Sequence, residues 1–186
     1  SSLAEEFERS AAKYFWPAIQ RGDLRVSVET PETQNQVDIR EFPTILPFVE
    51  CYERLYEDSE NRLDAPGDVA GYDLPVELPA RSDETETPNG KVRLAARLAS
   101  PADPEDYLNS VALFRGAGMV VKYFDQSRVA FGDRNFFGVL AAGRARPEGS
   151  PTRADREIDR FLRYAEPPTH DEWESTENLR EEYKYG

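Results

Sequence analysis

Apolar positions are unevenly spread along the chain, and the densest stretch, residues 110–144, organises the reading of everything else. Within it the runs 111–114 and 119–124 have the length of strands and are separated by Arg115-Gly116-Ala117-Gly118. Glycine reaches φ > 0 without steric cost, so the two runs are predicted to form a hairpin. A third run, 136–142, follows a turn at Gly132-Asp133-Arg134-Asn135 and is expected to extend the hairpin into a meander. Nearly every position in these runs is apolar, where a half-wet strand would alternate. A sheet covered on both faces is therefore expected.

Helical spacing marks the N-terminus, where Leu3, Phe7, Ala11, Tyr14, Phe15, Ala18 and Ile19 fall on one face of a helix over 2–21. Ser2 with Glu5 forms a capping box, Gly22 is a suitable stop, and Pro17 is expected to bend or end the last turn. Residues 24–28 alternate as a strand, 30–36 read as a polar turn, and 37–39 are expected to return antiparallel. In 44–57, Ile45, Phe48, Val49, Tyr52, Leu55 and Tyr56 share a helical face, with Pro47 in the first turn. Residues 58–71 and 81–90 read as loops, the second ending in an Asn89-Gly90 turn, and the prolines of 74–79 restrict that strand to an edge. Residues 91–98 alternate, placing Val92, Leu94, Ala96 and Leu98 inward and Lys91, Arg93 and Arg97 outward.

Beyond a loop at 144–153, a helix over 154–164 buries Ile158, Phe161, Leu162 and Ala165 and stops before Pro167-Pro168. Thr169 with Glu172 forms another capping box, and Leu179 and Tyr183 lie one turn apart in a polar helix from 176 that has no evident partner. The expected architecture is one α+β domain over 1–186. It has a mostly antiparallel sheet of six or seven strands flanked by three helices, with 166–186 an extended tail or the start of a further helix.

Charge narrows the function classes. With 36 acidic against 23 basic residues the formal net charge is −13, which opposes binding to nucleic acid or an anionic membrane. Only Lys13, Lys91, Lys122 and Lys184 are lysine, the remaining cations being arginine, a balance that suggests a GC-rich genome or a high-salt cytoplasm. A single Cys51 forms no internal disulfide and fits a reducing, cytoplasmic setting, and no apolar run approaches the ~20 residues of a membrane span. The chain starts at Ser1-Ser2 without methionine and ends in a helical pattern, so a fragment of a larger chain is expected.

The catalytic inventory is thin. The one histidine, His170, sits in Pro167-Pro168-Thr169-His170-Asp171-Glu172-Trp173, where the acidic pair suits a helix start better than a metal site lacking further His or Cys ligands. No GxSxG accompanies it, and Cys51 lies between Glu50 and Glu53, which disfavour a thiolate. Arg115-Gly116-Ala117-Gly118 is neither a Walker A motif nor a dinucleotide fingerprint, though its amides and Arg115 could contact an anion. Trp16 diverges from Phe15 on its helix and either packs under a following loop or faces a neighbouring domain. The residue chemistry points to a binding or mechanical domain, with no metal and no cofactor on this segment.

Several phrases occur together in one order: Tyr14-Phe15-Trp16-Pro17-Ala18-Ile19 followed by Gly22-Asp23-Leu24; the hairpin from Val111 to Val121; Phe137-Gly138-Val139-Leu140; and Ala165-Glu166 leading into Pro167 to Trp173. In this order they resemble the region after the nucleotide-binding domain in large prokaryotic ATP-binding proteins of the gyrase/Hsp90/histidine-kinase/MutL ATPase superfamily (GHKL). The resemblance implies a transducer-like domain that relays ATP-dependent closure, in genome maintenance or antiphage defence. ATP and Mg would be held by a neighbouring ATPase domain, because the superfamily's Glu/Asn helix, Asp-x-Gly-x-Gly turn and glycine-rich lid are not found here. It also implies that one basic side chain reaches a nucleotide or the neighbouring domain, with Arg115, Lys122 and Lys91 as candidates. Trp16, His170 and Trp173 are the candidate interaction surface. The alternative from composition alone is a self-contained acidic adaptor or inhibitor that engages a basic partner protein.

Overall fold

The computed structural model describes residues 2–55, 62–85, 89–128, 134–145 and 150–183. Helix α1 (Leu3–Gln20) opens at the expected cap, the Ser2 hydroxyl accepting from the Glu5 amide while the Glu5 carboxylate accepts from the Ser2 amide. Its C-terminal half carries the buried residues Trp16, Pro17 and Ala18, whereas Leu3 and Phe7, expected inside, are 69% and 59% exposed. Pro17 does not end the helix. Proline lacks the N–H that would bond the carbonyl of Lys13, and the Tyr123 hydroxyl donates to that carbonyl instead, at 2.6 Å.

Strands β1 (Ser27–Glu29) and β2 (Gln34–Gln36) pair as a separate antiparallel hairpin, so the return strand lies in what reads as a polar turn. Val37 and Ile39 beyond it are buried in the core without forming a strand. Helix α2 (Leu46–Arg54) has Pro47 in its first turn and buries Phe48, Val49, Cys51 and Tyr52, as the spacing predicts; Tyr56 lies outside the described residues.

The main sheet comprises β3 (Val69–Glu77), β4 (Asn89–Leu98), β5 (Ser110–Phe114), β6 (Val120–Asp125) and β7 (Phe136–Ala141), in the order β3-β4-β7-β5-β6. Neighbours are antiparallel except β5 and β7, which run parallel. The α+β class is as expected. The mostly antiparallel sheet of six or seven strands is corrected to a mixed five-stranded sheet plus the small hairpin. Helices α3 (Arg153–Ala165) and α4 (Glu177–Glu182) bring the α-helices among the described residues to four, the last being the further helix expected to begin within 166–186.

The meander is corrected too. After β6 the chain crosses the end of β5 and enters between β5 and β4, so β7 is central. Asn109 holds the crossing from both sides: its carbonyl accepts from the Gln126 amide, its own amide donates to the Phe136 carbonyl, and its side-chain oxygen accepts from the Phe136 amide. It does so at φ 60°, a left-handed conformation that asparagine tolerates better than most residues. Part of the expected turn before β7, residues 132 and 133, lies outside the described residues.

One face of the sheet packs on α1 and α2, with Trp16, Phe48, Tyr52, Phe114, Phe137 and Val139 at its centre. Trp16 meets Tyr52 and Phe114 edge-on, with ring centroids 5.7 and 5.5 Å apart. The opposite face is covered at one end by α3, where Ile158 joins Val76, Val92, Leu140 and Ala142. Tyr72, Leu74 and Phe124 on that face stay exposed, so cover on both faces holds for part of the sheet only. Arg97, expected outward, shares the α2 side with Ala95 and is buried there between Glu50 and Asp103, each 2.6 Å away.

Residues 166–183 fold back onto α3. Leu179 and Tyr183 pack against Phe161 and Tyr164, giving the short α4 the partner that the sequence left unidentified. No helix starts at Thr169. Residues 168 and 169 make a turn instead, with His170 at φ 54°, and Glu172 is drawn to Lys122.

Candidate functional site

The tip between β5 and β6 is bound from three sides. From the end of α1, Arg21 Nη2 donates to the Gly116 carbonyl at 3.2 Å and the Ala18 amide donates to the Gly118 carbonyl at 3.2 Å. From α3, the buried Asp159 carboxylate accepts the Gly116 amide at 2.9 Å and also takes Arg144 at 2.5 Å. From the arm after α3, Glu166 accepts both Nε and Nη2 of Arg115, at 2.7 and 2.9 Å, a bidentate pair that fixes orientation as well as distance. Glycine at 116 is a matter of space: a Cβ there would stand 2.3 Å from Asp159 Oδ2.

Glu166 gathers the arm as well. Its oxygens also take the Trp173 indole N–H at 3.2 Å and stand 3.1 Å from His170 Nδ1. Burial by itself would raise its pKa, but the hydrogen bonds from Arg115, Trp173 and His170 outweigh it and hold the carboxyl below the usual glutamate range.

Beside this junction, between α1, β6 and the arm, lies a groove of about 580 Å³. Its wall includes Tyr14, Phe15, Met119, Val121 and Tyr123, together with the basic side chains of Lys13, Lys122 and His170. Tyr123 is anchored twice, donating to Lys13 O and accepting from Trp16 Nε1 at 3.1 Å, and burial pushes its phenol well above the ordinary tyrosine range. Tyr107 stacks on it with ring centroids 4.5 Å apart and stands at φ 59°. Of three non-glycine residues at positive φ among the described residues, two, Tyr107 and His170, therefore line this one groove. A bulky residue there is strained by about 1–3 kcal/mol, and such strain gathers at ligand clamps and switch regions.

The structure thus brings four of the six residues singled out from the sequence to one place: Arg115, His170 and Trp173 meet on Glu166, and Lys122 lies along the groove, 2.9 Å from Glu172. It does not bring in Lys91, which is on β4 near Asp73 at 3.6 Å, with β7 between it and the hairpin. Trp16 is fully buried and touches the groove only through Tyr123, so it presents no surface to a neighbour. Sequence reasoning missed Glu166, Asp159, Lys13, Tyr107 and Tyr123. Of these, only Lys13 carried a signal, lying four residues before Pro17, whose missing N–H frees its carbonyl.

Catalytic alternatives gain no support from the geometry. Cys51 is buried with its thiol donating to the Phe137 carbonyl at 3.4 Å, and burial pushes its pKa far up. Among the described residues no cluster of His, Cys, Asp and Glu could hold a metal ion, and no helix is long and apolar enough to cross a membrane. Neither a family model, nor a curated protein, nor a solved structure matches the chain.

Proposed function

We propose that the chain is a non-catalytic coupling domain, in which the position of the C-terminal arm is tied to that of α1 through the tip of the β5–β6 hairpin. One observation carries this reading. A five-residue tip makes polar bonds to α1, α3 and the arm at once, through Arg21, Asp159 and Glu166. A tip braced on a rigid sheet cannot yield to one of these partners without disturbing its bonds to the others. The resemblance to the transducer region of GHKL proteins favours the same role, a relay of ATP-dependent closure in a larger prokaryotic machine, with ATP and Mg on a neighbouring domain. Arg115 then serves as the clamp on the arm, and Lys122 remains the more accessible of the two hairpin cations, its side chain 41% exposed.

Native-state hydrogen exchange on a Glu166→Gln variant tests the coupling. The expected result is faster exchange at the Ala18 and Gly118 amides as well as in the arm. Acceleration confined to the arm would reject the coupling. Titration with ATP and Mg is expected to show neither binding nor hydrolysis by this chain, and tight binding would contradict the division of labour.

A second reading, the acidic adaptor, rests on a different feature. Leu3 and Phe7 are exposed on α1 beside Glu5 and Glu6, an apolar stripe with an acidic border suited to a basic partner. Salt-sensitive binding to a cationic protein, abolished by Phe7→Ser, is its test; binding indifferent to that change would discard it.

A further inference from the structure

The groove beside β6 differs from the rest of the surface in its charge. In a chain of net charge −13, it holds two of the four lysines and the one histidine. Two of these basic side chains are matched within the fold, Lys122 by Glu172 and His170 by Glu166. Lys13 is not: no carboxylate of the described residues pairs with it, and its neighbours are two tyrosines. Its ammonium lies 5.0 Å from the centre of the Tyr14 ring and 5.2 Å from that of Tyr107. Partial burial opposes its charge, yet the two neighbouring tyrosines outweigh it and hold its pKa above the ordinary lysine value, so the ammonium stays charged.

We propose that this groove is a binding site for a small organic carboxylate with an apolar, ring-sized body. Lys13 receives the carboxylate, and the body lies along Met119, Val121 and Tyr123. The volume of about 580 Å³ is that of a small-molecule site, which combines an apolar lining with a few placed polar groups. Tyr107, at φ 59°, joins the cation to the groove wall, its ring centre 5.2 Å from Lys13 Nζ and 4.5 Å from that of the stacked Tyr123. Asp171 also lines the groove but is taken by the Thr169 hydroxyl at 2.5 Å. Glu41 and Asp106 line an adjoining cavity on the far side of Lys13 and Tyr107, together with Arg9. The site stands apart from the coupling reading, because the tip can transmit motion whether the groove is filled or empty.

Two probes of the same shape separate charge from apolar contact: 2-naphthoate and its uncharged counterpart 2-naphthalenemethanol, titrated into the full chain and followed by amide chemical shifts. Naphthoate is expected to shift the amides of Tyr107, Val121, Tyr123 and His170 and to bind about tenfold more tightly than the alcohol, as a charge-assisted hydrogen bond warrants. Lys13→Met should abolish that preference and Lys13→Arg should keep it. Equal binding of the two probes, or shifts lying outside the groove, would overturn the proposal. On the unaltered chain, naphthoate affinity should fall with added salt, and salt independence would count equally against it.

Discussion

The tip of the β5–β6 hairpin and the groove beside β6 use the same residue types, aromatic rings and long cations, but they meet their charges differently. At the tip, Arg115 and Asp159 are answered within the fold by Glu166 and by Gly116 and Arg144. In the groove, Lys13 lies against the Tyr14 and Tyr107 rings, and two residues keep left-handed backbones. A polar group consumed by the fold reports on mechanics, whereas a charge left without an opposite charge in a strained setting reports on a ligand. This difference is why coupling is proposed for the tip and binding for the groove.

The largest expected effect breaks the tip. Arg115→Met leaves the Glu166 carboxylate buried without its guanidinium and should lower unfolding free energy by about 3–5 kcal/mol in urea titration. Replacing both partners, as Arg115→Met with Glu166→Leu, should recover much of that loss, because no orphan charge remains. If the single and double variants are equally unstable, the clamp is not where the energy lies.

Gly116→Ala comes next, at about 1–3 kcal/mol, since the added methyl meets a carboxylate already committed to Gly116 N–H and Arg144. A neutral outcome would mean the tip is looser than its contacts imply. Acid provides a graded version of the same test. The native Glu166 pKa lies below its ordinary value of 4.5, so the clamp's ionic contribution is complete above about pH 4.5 and is lost as pH falls through the lowered native value. Glu166→Gln should flatten this part of the stability profile, and an unchanged acid limb would assign the loss to other carboxylates. The smallest effect is expected in the groove: Lys13→Met should change stability by no more than about 0.5 kcal/mol, as for an ordinary surface site. A larger loss would make Lys13 part of the fold and erase the contrast with the tip.

Local patterns carried most of the elements but not their arrangement. The cap at Ser2, the buried face of α2 and the β5–β6 hairpin follow from spacing and turn chemistry. The parallel pairing of β7 with β5 does not, because it depends on Asn109 holding a crossing whose partners are distant in sequence. Arg97 was misplaced for a related reason: a period of two gives the two faces of a strand but does not say which one a helix will cover. At the site, Arg115, Lys122, His170 and Trp173 were legible as polar or aromatic residues in suggestive phrases. Glu166 was not, because a glutamate before Pro167-Pro168 reads as a helix end and only folding brings the hairpin tip against it. Tyr107 gave no warning either, since positive φ in a tyrosine is imposed by its surroundings and not by its own preference.

The central claim is that the tip transmits between elements that do not bond each other directly, and a double-mutant cycle tests it most simply. Arg21→Met removes the hold of α1 on Gly116, and Glu166→Gln weakens the hold of the arm on Arg115. Unfolding free energies of the wild type, the two single variants and the double variant give the coupling. The expected result is an interaction energy of about 0.5–3 kcal/mol, carried through the tip. Losses that add to within about 0.5 kcal/mol would show two independent contacts and contradict the coupling.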